Sequence, residues 1–248
     1  MRKTKTTNSK KANADEKGTR TAAQFIAALH AHQSPVELKK NQVYYPEVNG
    51  DKCLGVRMKV IFETAKEYTS MPLSEVEKLF DSPWYEVRMG AVSIMDFKAR
   101  DTKVTAGERE QLYQLYLDNH HRINNWDLVD RGAPHIVGGY LSDKPRDVLY
   151  RLAKSKSVWE RRTAIVSTWY FIRQGDIEDT FKLAGKLVND PHDLIHKATG
   201  SWLREAGKRD TKKLIRFLDQ YAGNMPRTML RYAVEKLPKK QKDFYLKR

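Results

Sequence analysis

The segment KSVWERRTAIVSTWY, residues 156–170, sets a pattern that recurs along the chain. It places basic residues just before a small residue, and an apolar run follows. DSPWYEVRMGAVSIM (81–95), DPHDLIHKATGSWLRE (190–205) and NMPRTMLRYAVEKL (224–237) share this outline. Their small residues lie 73, 34 and 35 positions apart, at Ala91, Ala164, Ala198 and Ala233. The longest interval is close to two units of about 36 residues, a length typical of stacked helix pairs. The repeat predicts an α-solenoid.

Helical periodicity also extends outside these four segments. Apolar residues recur at spacings of three and four in AAQFIAALHAH (22–32) and GVRMKVIFETAKEY (55–68). Only VYYPEV, residues 43–48, alternates like a strand. The pattern predicts about a dozen helices with short loops. We therefore expect an all-α fold, a curved solenoid of HEAT-like repeats with a concave basic groove.

Basic residues open the second helices of these pairs, which line the concave face of such solenoids. We expect them along that face; the alternative is that helix surfaces here are simply rich in lysine and arginine. The residues concerned are Arg88, Arg161, Arg162, Lys197, Arg227 and Arg231.

The composition indicates a folded protein that binds polyanions. The 248 residues include 46 Lys+Arg against 31 Asp+Glu, a net charge of +15. With 40% hydrophobic residues the chain can form a large core, which excludes disorder of the whole. A charge excess of this size attracts phosphate backbones regardless of base sequence.

The N-terminal region differs from the rest. Residues 1–20 hold seven Lys/Arg against two acidic residues and almost nothing apolar, which predicts a disordered basic tail. Residues 21–248 are expected to form one HEAT-like repeat domain. The absence of an apolar leader and the single Cys53 favour a cytoplasmic, nucleoid-associated protein without membrane contact.

The segment INNWDLVDRGAPHIVGGYL, residues 123–141, contains the most distinctive candidate site. Asn124 or Asn125 suits the start of a helix. Trp126 and Asp130 are four residues apart and so share a helix face. An aromatic ring beside a carboxylate can stabilise a developing cation. The alternative is a core tryptophan and an aspartate paired with an arginine.

Two further segments combine tryptophan with basic residues. In WERRTA, Arg162 and its neighbour Arg161 suit bidentate phosphate contact, unless Arg162 is paired with Glu160 or Asp130. In KATGSWLREAGKRD, Trp202 lies among Lys197, Arg204, Lys208 and Arg209, and core packing of the ring is the alternative.

Together these segments resemble the DNA alkylation repair family of HEAT-like-repeat DNA glycosylases. The motifs are GVR at 55–57, the aromatic-E-x-R segment at 84–88, NWDLVD at 125–130, WERRTA at 159–164 and KATGSWLRE with GKRD at 197–210. The resemblance covers most of the chain after about residue 50.

The resemblance implies hydrolysis of the N-glycosidic bond of cationic N3- or N7-alkylated purines in duplex DNA, within base excision repair. It assigns Asp130 an electrostatic and water-positioning role, Trp126 an aromatic wall against the sugar, and Arg162 a phosphate clamp. It also implies a DNA contact by Arg57. From the basic and aromatic residues of their own segments we further expect DNA contacts by Arg161, Lys197, Trp202 and Arg204. No metal or organic cofactor is implied, and the expected partner is double-stranded DNA with alkylated bases, bound by a monomer.

The implied mechanism needs only one carboxylate. Because an alkylated purine is already cationic, it leaves as a neutral base without a general acid, and the deoxyribose becomes oxocarbenium-like. The alternatives are a non-catalytic HEAT-repeat protein that binds structured DNA or RNA, and a protein-interaction scaffold of the same fold.

One position departs from the family pattern. The family tryptophan follows the glycine of the KA-x-G-W segment directly, whereas Ser201 holds that position here and the ring lies at Trp202. One residue corresponds to about 100° around an ideal helix. Either the helix is rotated or locally adjusted, or one aromatic wall of the site is missing.

Overall fold

The computed structural model describes residues 19–44 and 51–247. Within these ranges the regular structure is helical, and the only β-type pairing is an isolated bridge between Lys52 and Trp84. The prediction of an all-α fold is confirmed. Residues 43 and 44 of the strand candidate end a helix, and its remainder lies outside the described residues, as do residues 1–18 of the predicted tail.

Fifteen α-helices make up the described part of the chain. They are α1 (Ala22–His30), α2 (Pro35–Tyr44), α3 (Met58–Glu67), α4 (Leu73–Phe80), α5 (Tyr85–Arg100), α6 (Ala106–Asp118), α7 (Trp126–Gly132), α8 (Asp147–Leu152), α9 (Val158–Val166), α10 (Thr168–Arg173), α11 (Glu178–Leu187), α12 (Asp193–Arg209), α13 (Thr211–Tyr221), α14 (Arg227–Ala233) and α15 (Lys239–Leu246). Two 3₁₀ turns, His120–Arg122 and Leu141–Asp143, and a π-helix, Ala133–Gly138, complete the set.

The helices stack as a solenoid. Helices α5, α7, α9, α12 and α14 pack in succession, each against the next, and we call them the second-helix layer. Helices α4, α6, α8, α11 and α13 each precede one of them in the chain. The 73-residue interval between Ala91 and Ala164 contains α7, which is the repeat that the sequence pattern implied. The solenoid prediction is confirmed.

The chain has more helices than the predicted dozen because two long segments are interrupted. Pro134 has no N–H to donate to the carbonyl four residues earlier, and α7 gives way to the π-helix at this point. The segment 158–173 divides at Ser167, whose hydroxyl donates to the carbonyl of Thr163.

Close packing joins α12 to α14. A Cβ added at Gly200 would lie 2.5 Å from the carbonyl oxygen of Met229 and 2.6 Å from the Cβ of Tyr232. Only glycine fits without displacing α14. Nearby, Trp202 packs against both hydrophobic clusters that form the core. Residues 200–202 therefore fix where the last repeat sits.

Several basic residues of the second-helix layer form hydrogen bonds with backbone carbonyls of the loops that precede their helices. Arg88 donates to the carbonyl of Ser82, and Arg161 donates to the carbonyl of Ser155, six residues earlier in both cases. Arg88 is fully buried. The expectation that it lines an open groove is wrong, because its guanidinium anchors the start of α5.

None of the described helices is both long enough and apolar enough to traverse a lipid bilayer.

Candidate active site

The start of α7 presents the aromatic and acidic side chains predicted from the sequence. Asn125 is its N-cap, with extended backbone, and its side chain accepts from the N–H of Trp126. Trp126 is 40% exposed, which is unusual for so large an apolar side chain in this protein. One helical turn later, the side chain of Asp130 is 33% exposed. The ring and the carboxylate are therefore both accessible.

A bidentate ion pair fixes the carboxylate of Asp130. The Nε of Arg162 lies 2.8 Å from Oδ1 and its second guanidinium nitrogen lies 2.7 Å from Oδ2. The remaining nitrogen donates to the carbonyl of Leu194 at 2.6 Å. Because the Arg162 side chain is only 8% exposed, its guanidinium lies on the buried side of the pair. The geometry supports a role in orienting Asp130 more directly than a role as a phosphate clamp.

Asp130 opens onto a cavity of about 210 Å³. Its walls include two indole rings, an imidazole, two aspartates and two arginines, so the cavity combines apolar surface with charged groups. The lining residues are Asp96, Arg100, Asp130, Arg131, Pro134, His135, Trp169 and Trp202. Such a cavity can hold a sugar or a small planar group against the carboxylate.

Trp202 lines this cavity despite its shifted position in the sequence. Its indole N–H donates to the carbonyl of Val166 at 2.9 Å, which fixes the ring across α9. Helix α12 runs without interruption through Ser201 and Trp202, so no local unwinding accompanies the shift. The departure from the family pattern leaves the cavity with an aromatic wall.

Sequence reasoning assigned two of the eight cavity residues, Asp130 and Trp202, to the site and did not assign the other six. Trp169 lies seven residues after Arg162, about two helical turns along the chain, and this spacing within the repeat segment is a usable signal. Asp96 and His135 are 39 positions apart and meet only through the packing of α5 against the π-helix. No local sequence spacing predicts the contact between Asp96 and His135.

The other predicted DNA contacts lie outside the cavity, and each has a partner within the chain. Arg161 pairs with Asp190 at 2.6 Å, and Lys197 pairs with Asp193 at 2.7 Å. The remaining two carry partners as well: Arg204 contacts Glu205 and Glu235, and Arg57 contacts Glu37. Since such surface pairs are weak in water, exposed members remain able to exchange their partner for a phosphate.

The GVR loop is held by a buried carboxylate. Glu86 is fully buried and accepts from the backbone N–H groups of Leu54 at 2.8 Å and Gly55 at 2.9 Å, and from Val56 at 3.4 Å. Gly55 has a φ of +79°, a conformation that favours glycine. The loop thereby delivers Arg57 to the N-cap of α3 with its side chain 69% exposed. The segment 55–57 is therefore coupled to the start of α5 through Glu86.

A buried histidine lies beneath the arginine of the ion pair. The Nε2 of His120 lies 2.8 Å from the hydroxyl of Thr163, the residue that follows Arg162. Burial lowers the pKa of His120 from its usual value to about 4, and the charge of Glu160 acts in the opposite direction with smaller effect. The neutral imidazole is therefore the form that supports α9.

Stability should fall as the pH drops from 6.5 toward 4. In this window the unfolded chain binds a proton at His120 that the folded protein excludes, so protonation favours unfolding. We expect a loss of about 2 kcal/mol between pH 7 and pH 5 from this residue. Urea unfolding of wild type and His120→Gln at both pH values measures it. The variant should lose less stability than wild type, while His121→Gln, at the exposed neighbour, should behave like wild type. An unchanged pH dependence in His120→Gln would refute this assignment.

Comparisons with known proteins agree with this fold. A model of the DNA alkylation repair enzyme family matches residues 25–237. A solved structure described as a predicted DNA alkylation repair enzyme from Enterococcus faecalis superposes with a TM-score of 0.66 and 15% sequence identity. The match covers 84% of this chain and 98% of that one. A search of curated proteins found no match. Because the family model spans most of the chain, the protein belongs to the DNA alkylation repair enzyme family.

Proposed function

We propose that the protein is a DNA glycosylase that hydrolyses the N-glycosidic bond of cationic N3- or N7-alkylated purines in duplex DNA. Membership of the family supports a role in DNA alkylation repair. The observation that carries the finer proposal is the Asp130 carboxylate, oriented by Arg162 and open to a cavity lined by Trp169 and Trp202.

The geometry suits a reaction in which positive charge moves onto a sugar. When the alkylated purine departs, the electron pair of its glycosidic bond goes with it, and the deoxyribose is left cationic. Asp130 lines the cavity whereas Arg162 does not, and the guanidinium of Arg162 is the more buried of the two groups. A preorganised carboxylate in that position attracts the oxocarbenium-like centre. Trp126 lies one turn before Asp130 and is exposed but does not line the cavity, and we assign it a contact with the sugar from outside that space.

Binding to the DNA backbone is expected from the charge of the chain. Its excess of 15 positive charges favours phosphate contacts that release counterions. We assign these contacts to exposed basic residues, including Arg57 and Lys197, both of which exceed one-third exposure. They position the duplex without reading its sequence.

The test is release of free base from a methylated duplex. We expect purified protein to liberate 7-methylguanine or 3-methyladenine, detected by chromatography, above the spontaneous rate and with a rate that falls as salt rises. Binding measured on the same duplex provides the control. Salt-sensitive binding without base release at any salt concentration would contradict the proposal and support a non-catalytic DNA-binding protein.

A further inference from the structure

We propose that His135 is a catalytic residue that accepts the proton of the attacking water, a role that rests on the proposed glycosylase function. The side chain lines the same cavity as Asp130 and is partly exposed, so water can reach it.

A buried carboxylate orients the imidazole. The Nδ1 of His135 lies 2.8 Å from Oδ1 of Asp96, whose side chain is 1% exposed. An ionised carboxylate only accepts hydrogen bonds, so Nδ1 carries the proton that it donates. In the neutral ring, Nε2 then holds a free lone pair. This tautomer is the one that a general base requires.

Asp96 is itself fixed in place. Arg131 contacts its carboxylate at 3.1 Å and Arg100 contacts it at 3.4 Å. The guanidinium of Arg131 stacks between Phe62 and Phe97, at 4.5 and 4.6 Å from their ring centroids. These contacts fix the position of the Asp96 carboxylate, which in turn fixes the orientation of the imidazole ring that it binds.

Two aromatic side chains also contact the imidazole ring of His135. The imidazole meets Trp169 edge to face with centroids 5.3 Å apart, and Tyr170 at 6.1 Å. Such contacts restrict the plane of the ring.

The backbone after Asp130 brings the two side chains to one cavity. In an α-helix, residues five apart point about 140° away from each other. Pro134 cannot donate to the carbonyl of Asp130, and the chain continues as a π-helix in which Gly139 donates to Pro134, five residues earlier. Bonds of this spacing bring residues five apart closer to one face. Asp130 lies in α7 just before the π-helix, His135 lies within it, and both line the cavity.

The hydrogen bonds that Asp130 already accepts favour a different group as acceptor of the proton of the attacking water. Both of its oxygens already accept from Arg162. In the proposed step the C1′–N bond breaks and its electron pair leaves with the neutral base. The water oxygen bonds to C1′ and its proton passes to Nε2 of His135. The imidazolium keeps its Nδ1–H on Asp96 and returns the proton to solvent.

The test is the pH–rate profile of His135→Gln. We expect single-turnover release of 7-methylguanine to fall about 100-fold at neutral pH. The wild-type rate should decline on the acidic side, where protonation of the imidazole removes the lone pair that accepts the proton, and the variant should lose this limb. The charged groups facing the ring are Asp96, Arg100, Arg131 and Asp130. The first three form a fixed ion cluster and remain in the variant.

A matched control and a binding measurement separate the outcomes. His30 also meets a tryptophan edge to face, Trp84 at 5.8 Å, but lies outside the cavity, and His30→Gln should keep the wild-type rate and profile. Binding of a duplex with a tetrahydrofuran abasic site should be unchanged in His135→Gln. Release by wild type with an unaltered profile in His135→Gln would overturn this proposal alone, whereas no release by wild type would overturn the proposed function.

Discussion

Replacing Asp130 by asparagine should lower the rate of base release about 10²–10³-fold, the usual effect of removing one preorganised charge-stabilising group. Asparagine keeps the shape of the side chain and an oxygen that can accept from Arg162. It removes the negative charge that faces the cavity. The loss should therefore appear in the rate of the chemical step, measured in single turnover with enzyme in excess over methylated duplex.

The variant also perturbs a buried arginine, so a control for stability is needed. Arg162 loses its charge partner in Asp130→Asn, and we expect the free energy of unfolding to fall by about 2 kcal/mol. The chain offers a matched pair in Asp190, which accepts from the guanidinium of Arg161 at the start of the same helix. Asp190→Asn should lose similar stability and retain wild-type activity, because Asp190 lies outside the cavity.

The comparison of the two variants decides the role of Asp130. Equal losses of activity in both would assign the effect to the folding of α9. Wild-type release by a folded Asp130→Asn protein would remove the carboxylate from the mechanism.

Replacing Glu86 by alanine should destabilise the protein by about 3 kcal/mol. The substitution leaves the N–H groups of Leu54, Gly55 and Val56 without their acceptor in a buried position. Each buried donor without a partner costs about 1–3 kcal/mol, and partial entry of water reduces the sum. Urea unfolding monitored by circular dichroism measures the change.

Two variants define the cause of this loss. Glu86→Gln retains one oxygen that can accept from the loop and should lose less stability than Glu86→Ala. Glu63→Ala removes an exposed carboxylate from α3, where it pairs with Lys59 at 3.7 Å, and should change stability by less than about 0.5 kcal/mol. A Glu86→Ala protein as stable as wild type would show that the loop does not depend on this carboxylate.

The repeat pattern in the sequence was sufficient to predict most of the fold. The spacing of Ala91, Ala164, Ala198 and Ala233 predicted stacked helix pairs, and the double interval correctly left room for α7. These features are predictable because they depend on local periodicity. The interruption at Pro134 was not predicted, although a proline inside a helix removes one backbone hydrogen bond.

The contacts that define the site were less accessible to sequence reasoning. The spacing of Trp126 and Asp130 placed them one turn apart, and the pairing of Asp130 with Arg162 stood among the alternatives. Whether a guanidinium faces solvent or a carboxylate depends on tertiary packing, which no local pattern encodes. The same holds for Asp96 and His135, joined across 39 positions.

The most direct test of the account compares two lesions that differ in charge. One duplex carries cationic 7-methylguanine and the other carries neutral O6-methylguanine at the same position. A single carboxylate, aided by a histidine that only accepts a proton, supplies no acid to protonate a neutral leaving base. We therefore expect release of 7-methylguanine and no release of O6-methylguanine above background. Equal rates for both lesions would contradict it.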